Sequence, residues 1–117
     1  MTRILSLVLA AALALPAGAS AQVVSDRDTF LQAVEGKRLT RLLASLVVTG
    51  DGRIVGTAAG GEVTGTWNWE GGYFCRVLNY NGEVYDPMNC QQVTIDGSNI
   101  RFQSDRGAGD FLDFTIR

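Results

Sequence analysis

Val63-Thr64-Gly65-Thr66-Trp67-Asn68-Trp69-Glu70-Gly71-Gly72-Tyr73-Phe74-Cys75-Arg76-Val77-Leu78-Asn79-Tyr80-Asn81-Gly82 is the stretch that decides the fold. Val63, Gly65, Trp67 and Trp69 alternate with Thr64, Thr66 and Asn68, the two-residue period of a strand with two distinct faces. Gly71-Gly72 turns the chain into a second aromatic and β-branched run, Tyr73 to Tyr80. Asn81-Gly82 then supplies a strong hairpin signal, because both residues tolerate positive φ.

The same grammar extends outward in both directions. Twelve of the fourteen glycines fall after residue 49, at regular turn positions between short apolar or alternating runs. Upstream, Leu39 to Thr49 reads as a first strand region, buried for much of its length. It turns at Gly50-Asp51-Gly52 into Arg53 to Ala58, and Gly60-Gly61 breaks the chain before Val63. Downstream, Pro87 interrupts the run after Asn81-Gly82, so the return strand is expected to start near Asn89 and run to Ile95. An Asp96-Gly97 turn leads to Asn99–Ser104, a loop covers Asp105–Gly109, and Phe111 to Ile116 closes the chain. Leu112, Phe114 and Ile116 fall on one face of that last strand.

Before Leu39 the period changes. Ser25 or Asp26 can cap a helix, Asp28 favours its positive end, and Phe30, Leu31 and Val34 lie at helical spacing before Gly36 stops the run. A short helix over Asp26 to Glu35 is expected, and ten residues need a docking partner for Phe30 to be stable. The fold class is therefore mostly β. It is an antiparallel meander of about seven strands, curved into a sheet or small barrel, with one short N-terminal helix packed on it.

Cys75 and Cys90 are the two cysteines of the chain. The strand scheme places them side by side, at the short separation a disulfide requires. Met1 to Ala21 reads as a secretory signal: Arg3, an apolar run from Ile4 to Leu15, helix breakers at Pro16 and Gly18, then the small residues Ala19-Ser20-Ala21. An exported chain enters an oxidising compartment, where two thiols form a structural disulfide. Residues 22–117 then form a single disulfide-containing β domain. It is expected in the periplasm or secreted, with no transmembrane anchor after cleavage, since the apolar run is far shorter than the about 20 residues of a span.

Composition narrows the function. Beyond Ala21 there are nine basic and twelve acidic residues, a net charge near −3 with no basic stripe, so nucleic acid is a poor partner. Histidine is absent, which excludes Ser-His-Asp and Cys-His hydrolases. A zinc site needs four ligands, and the chain has no histidine and no further cysteine, so no metal is expected. No dinucleotide fingerprint or phosphate loop occurs, so no cofactor is expected.

Two sets of residues could carry chemistry or recognition. Asp105 and Asp110 flank a Gly-rich loop and could act as acid and base on a sugar, or could be turn residues bonding backbone groups. Trp67, Trp69 and Tyr73 lead an aromatic cluster that could line an apolar pocket or build a β core with cross-strand pairs. Arg76 points to the opposite face from Cys75.

The segments Gly65 to Arg76, Asn89-Cys90-Gln91 and Arg101 to Gly107 together resemble a group of small exported alphaproteobacterial proteins of uncharacterised function. Members often carry the label dihydrodipicolinate reductase. That reductase is a cytoplasmic, nicotinamide-dependent enzyme with a dinucleotide-binding domain, and none of its catalytic residues has a matching position here. Gly65-Thr66-Trp67 is also similar to the strand start of avidin- and lipocalin-like small barrels, which implies binding in or at the rim of a barrel. The leading expectation is an exported, non-enzymatic β domain that binds a small molecule or protein of the bacterial envelope, through Trp67, Trp69 and Tyr73 if the ligand is small. The alternatives are a protein-interaction or inhibitor module presenting the loop 81–89, and an enzyme using Asp105 and Asp110.

Overall fold

A computed structural model describes residues 20–117; the expected export signal lies outside them except for its last two residues. The meander closes. Strands β2 (Leu39–Arg41), β3 (Ala44–Val48), β4 (Arg53–Ala58), β5 (Gly61–Glu70), β6 (Tyr73–Tyr80), β7 (Glu83–Asp96), β8 (Asn99–Gln103) and β9 (Phe111–Ile116) pair antiparallel in chain order. Strand β9 returns to β2, giving an eight-stranded barrel. A ninth strand, β1 (Gln22–Val24), lies on β7 opposite Val93–Ile95, extending the edge that β6 leaves at Phe74. The helix α1 spans Arg27–Val34, capped by Asp26, whose carboxylate accepts from the Thr29 N–H at 3.0 Å.

Three strand expectations are revised. Leu39–Thr49 is two strands, folded at Leu42-Leu43, and those leucines are exposed rather than buried. Strand β7 begins at Glu83, not near Asn89. Pro87 is accommodated because the pairing with β6 shifts there: Arg76 faces Asn89 while Leu78 faces Asp86, a bulge where a missing N–H costs no ladder bond. The strand at Gln22–Val24 is too short to show any alternation, and it is held by the pairing edge that β7 offers.

Register sets the two faces. Trp67 stands opposite Arg76, and Trp69 opposite Phe74, so these four face the barrel interior with Val63, Gly65 and Leu78. The core joins Phe30 and Val34 of the helix to Leu39, Val48, Ile54, Trp67, Phe74, Val93, Ile100, Phe102 and Phe114 of the strands. Phe30 is fully buried. Its ring meets Trp67 edge-on at 5.4 Å, Trp69 at 5.2 Å and Phe74 at 5.0 Å. The helix thus plugs one end of the barrel. Two polar bonds hold the plug down, from the Trp69 indole N–H to Ser25 O (3.3 Å) and from the Arg27 guanidinium to Gly50 O (2.6 Å), while the Trp67 indole N–H ties β5 to the neighbouring turn at Thr49 O (2.9 Å).

On the outward face Cys75 and Cys90 are directly opposed and joined by a disulfide. The bond closes a loop of about 15 residues, worth about 3 kcal/mol in the chain-entropy model. The double variant Cys75→Ala/Cys90→Ala is expected to melt roughly 12 °C or more below the parent, at 4–8 °C per kcal/mol for a domain of this size. Coincident thermal melts of the two proteins would contradict this.

Three carboxylates are held below their ordinary value of 3.8: Asp26 by the Thr29 N–H and hydroxyl it accepts from, Asp51 by the Thr49 hydroxyl, and Asp113 by Arg101, whose guanidinium donates at 2.8 and 3.0 Å. A carboxylate with a depressed folded pKa stabilises above its unfolded value and stops doing so as the proton returns. Stability should therefore be flat from neutrality to about pH 5 and decline on acidification through and below pH 4. Urea midpoints measured from pH 7 to pH 3 check this; a midpoint that rises on acidification would contradict it.

Candidate binding site at the open end of the barrel

The helix seals the end where the turns at 49–52, 71–72 and 97–98 gather. The hairpin tips at 42–43, 59–60 and 81–82 gather at the other end, away from α1. Here the apolar character runs against ordinary surface chemistry. Leu42 and Leu43 are 87% and 72% exposed, Tyr85 75% and Leu112 49%. These side chains, with Ala59, Val63, Leu78 and Phe114 behind them, line an opening of about 560 Å³. Leu46, Leu78, Leu112 and Phe114 also border a smaller cavity of about 60 Å³ deeper in the barrel, so the two share a wall.

The hairpin tip is built against turn preference. A two-residue connection with positive φ at its second position favours glycine there. Leu43 takes φ 64° there, a conformation costing a branched L-residue roughly 1–2 kcal/mol. Neither leucine recovers that cost by burial.

The deeper cavity has two polar groups among its lining side chains, Arg76 and Gln91. Arg76 is buried, at 5% exposure, on the interior face. Its guanidinium donates to Asp86 Oδ2 at 2.6 Å and to Pro87 O at 3.2 Å. The bulge at Pro87 turns Asp86 and that carbonyl toward the barrel, so the irregularity in β7 is what satisfies the cation. Gln91 is also buried, and its amide donates to Ser104 Oγ at 3.2 Å. Tyr80 forms part of the opening's wall: its hydroxyl donates to Ala58 O at 2.9 Å, and its ring sits where a Gly61 side chain would project.

The residues singled out from the sequence are distributed differently. Trp67 and Trp69 share the interior face, as alternation requires, but Phe74 rather than Tyr73 stands opposite Trp69. Tyr73 faces outward, with the Arg106 guanidinium 5.7 Å from its ring centre. Trp67 is 5% exposed within the plug, and none of the three lines the opening or the deeper cavity. Asp105 and Asp110 are exposed on the loop after β8. Asp105 exchanges two bonds with the Asn89 side chain (2.8 and 2.9 Å), which hold Asp105 and Arg106 at φ 54°. The Asp110 carbonyl accepts from Ser104 N–H. The Asp105 carboxylate is occupied with turn bonding, Asp110 contributes its backbone carbonyl to the same loop, and neither residue lines the opening or the deeper cavity.

The opening's own residues were not legible as a site. The one available signal was Arg41-Leu42-Leu43 itself: a cation and two leucines inside an eleven-residue run, longer than the usual five or six of a strand.

Among the described residues no helix is long and apolar enough to cross a membrane. Comparison of the chain with protein-family models, with curated proteins and with solved structures gave no match, so the reading of the site rests on its geometry.

Proposed function

We propose that this chain is an exported β-barrel domain of the bacterial envelope whose open end holds a small apolar ligand. The observation that carries the reading is the Leu42-Leu43 tip. Two large apolar side chains are kept in water, one in a left-handed conformation, beside an apolar opening of about 560 Å³. Small-molecule sites are concave, mostly apolar and commonly 300–1,000 Å³, and they occur in the mouths of barrels. Strain kept at an exposed position, with no structural return, marks functional selection. Export and location rest on the N-terminal sequence and on the disulfide.

Titration with N-phenyl-1-naphthylamine, a neutral apolar fluorophore, tests the reading. Saturable one-to-one binding is expected. The Leu42→Asn/Leu43→Gly variant should bind at least about five-fold more weakly while melting at the same or a higher temperature, since glycine at 43 relieves the left-handed strain there. Absence of saturable binding, or binding unaffected by that variant, would contradict the proposal.

A second reading has its own support. Val84, Tyr85 and Met88 are 66%, 75% and 59% exposed along the bulged half of β7, which pairs with β6 on one edge while its pairing with β8 starts only at Gln92. A protein partner could add a strand to that edge, the loop 81–89 being its platform. A partner captured from periplasmic extract whose binding is lost in Tyr85→Ser but kept in Trp67→Phe would favour it.

A further inference from the structure

The charges around the opening carry the ligand assignment one step further; the step rests on the small-ligand reading above. Among the residues lining the opening and the cavity beneath it there are two charged side chains, Arg41 and Arg76, and no carboxylate. Arg76 is neutralised by Asp86 at 2.6 Å. Arg41 is not: among the described residues it has no carboxylate within salt-bridge distance. The carboxylate its field does reach, Asp113, is already taken by both arms of the Arg101 guanidinium.

Arg41 is also placed on the inner surface. Leu39 is buried in the core and pairs with the interior Leu46; two residues on, Arg41 pairs with Ala44 on the same face, at the rim. Its guanidinium carbon lies 5.7 Å from the ring centre of Phe114, an interior side chain. A rim arginine with no ion pair, leaning inward over an apolar opening, offers a bidentate anion site at the edge of a greasy one.

We infer that the opening takes a monomeric single-chain amphiphile with one anionic head group, its apolar body between Leu43 and Leu112 and its head group on Arg41. An uncharged apolar molecule would fill the walls but leave Arg41 with water alone. A cationic amphiphile would meet Arg41 as a like charge.

Calorimetric titration with decanoate and with decanol, each as monomer and without vesicles, tests this in the parent and in Arg41→Gln. The quantity read is the ratio of the two affinities, which cancels the contribution of the shared chain. Arg41 is exposed, so its replacement should leave the fold intact, and unchanged melting temperature checks this. The decanoate-to-decanol ratio should fall roughly five- to ten-fold in Arg41→Gln, and Arg41→Lys should restore part of it. In the parent the ratio should also fall as salt is raised. If both compounds bind but the ratio is the same in parent and variant, the anionic assignment is wrong while the apolar site stands. If neither binds, both are wrong. Binding to phosphatidylglycerol vesicles with none to monomeric decanoate would overturn the assignment in favour of a membrane-contact surface.

Discussion

Phe30→Ala is expected to lower unfolding free energy by about 3–5 kcal/mol, the range for truncating a fully buried phenylalanine. A domain of this size is stabilised by only about 5–15 kcal/mol in total, so this one change brings it close to unfolding. The reason is the position of the ring. Phe30 is the side chain through which α1 enters the barrel, and it contacts Trp67, Trp69, Phe74 and Phe102 at once. An eight-residue helix has little stability of its own, so losing that anchor frees the helix as well as opening a cavity. A urea denaturation series measures the change. A loss below 1 kcal/mol would mean that the helix does not seal the barrel.

The second large effect is expected at Asp86. Asp86→Ala leaves the Arg76 guanidinium buried with the Pro87 carbonyl as its remaining protein partner. Removing one member of a buried pair costs roughly 3–5 kcal/mol; here about 3–4 is expected, because Asp86 itself is 42% exposed and water can fill part of its place. The informative variant is the double replacement Arg76→Met/Asp86→Leu, which removes both charges and keeps the volume. It should recover most of the lost stability or exceed the parent, because the pair's mutual attraction only roughly offsets the cost of taking the cation out of water. Thermal melts of the single and double variants separate the two. A double variant as unstable as Asp86→Ala would mean that Arg76 contributes through packing and not through charge.

The barrel was largely legible in the sequence because its strands obey local rules. Alternation at Val63–Trp69 put both tryptophans on one face, and glycine pairs marked the hairpin ends. The fifteen-residue cysteine spacing across a hairpin also gave the correct bridge. What escaped was whatever depends on the partner strand. Pro87 argues against a strand when read alone, and becomes tolerable only because β7 bulges against β6 at that point. Leu42-Leu43 has the composition of a buried run, and only the pairing of Arg41 with Ala44 shows that the chain reverses there. The aromatic cluster reads two ways for a related reason. Aromatic residues are the commonest signal for both a pocket and a core, and deciding between them needs the helix: Phe30 fills the volume between the tryptophans. The end left open is lined mainly by aliphatic side chains, which no motif distinguishes from ordinary interior residues.

Chemical-shift mapping with decanol on isotopically labelled protein places the ligand directly. Saturating shifts at the amides of Leu42, Leu43, Tyr85 and Leu112, with the indole signals of Trp67 and Trp69 unmoved, are expected if the barrel is sealed by its helix and open at the opposite end. Shifts centred on the two indoles, with the leucine tip unaffected, would contradict that arrangement and return the binding site to the tryptophan end.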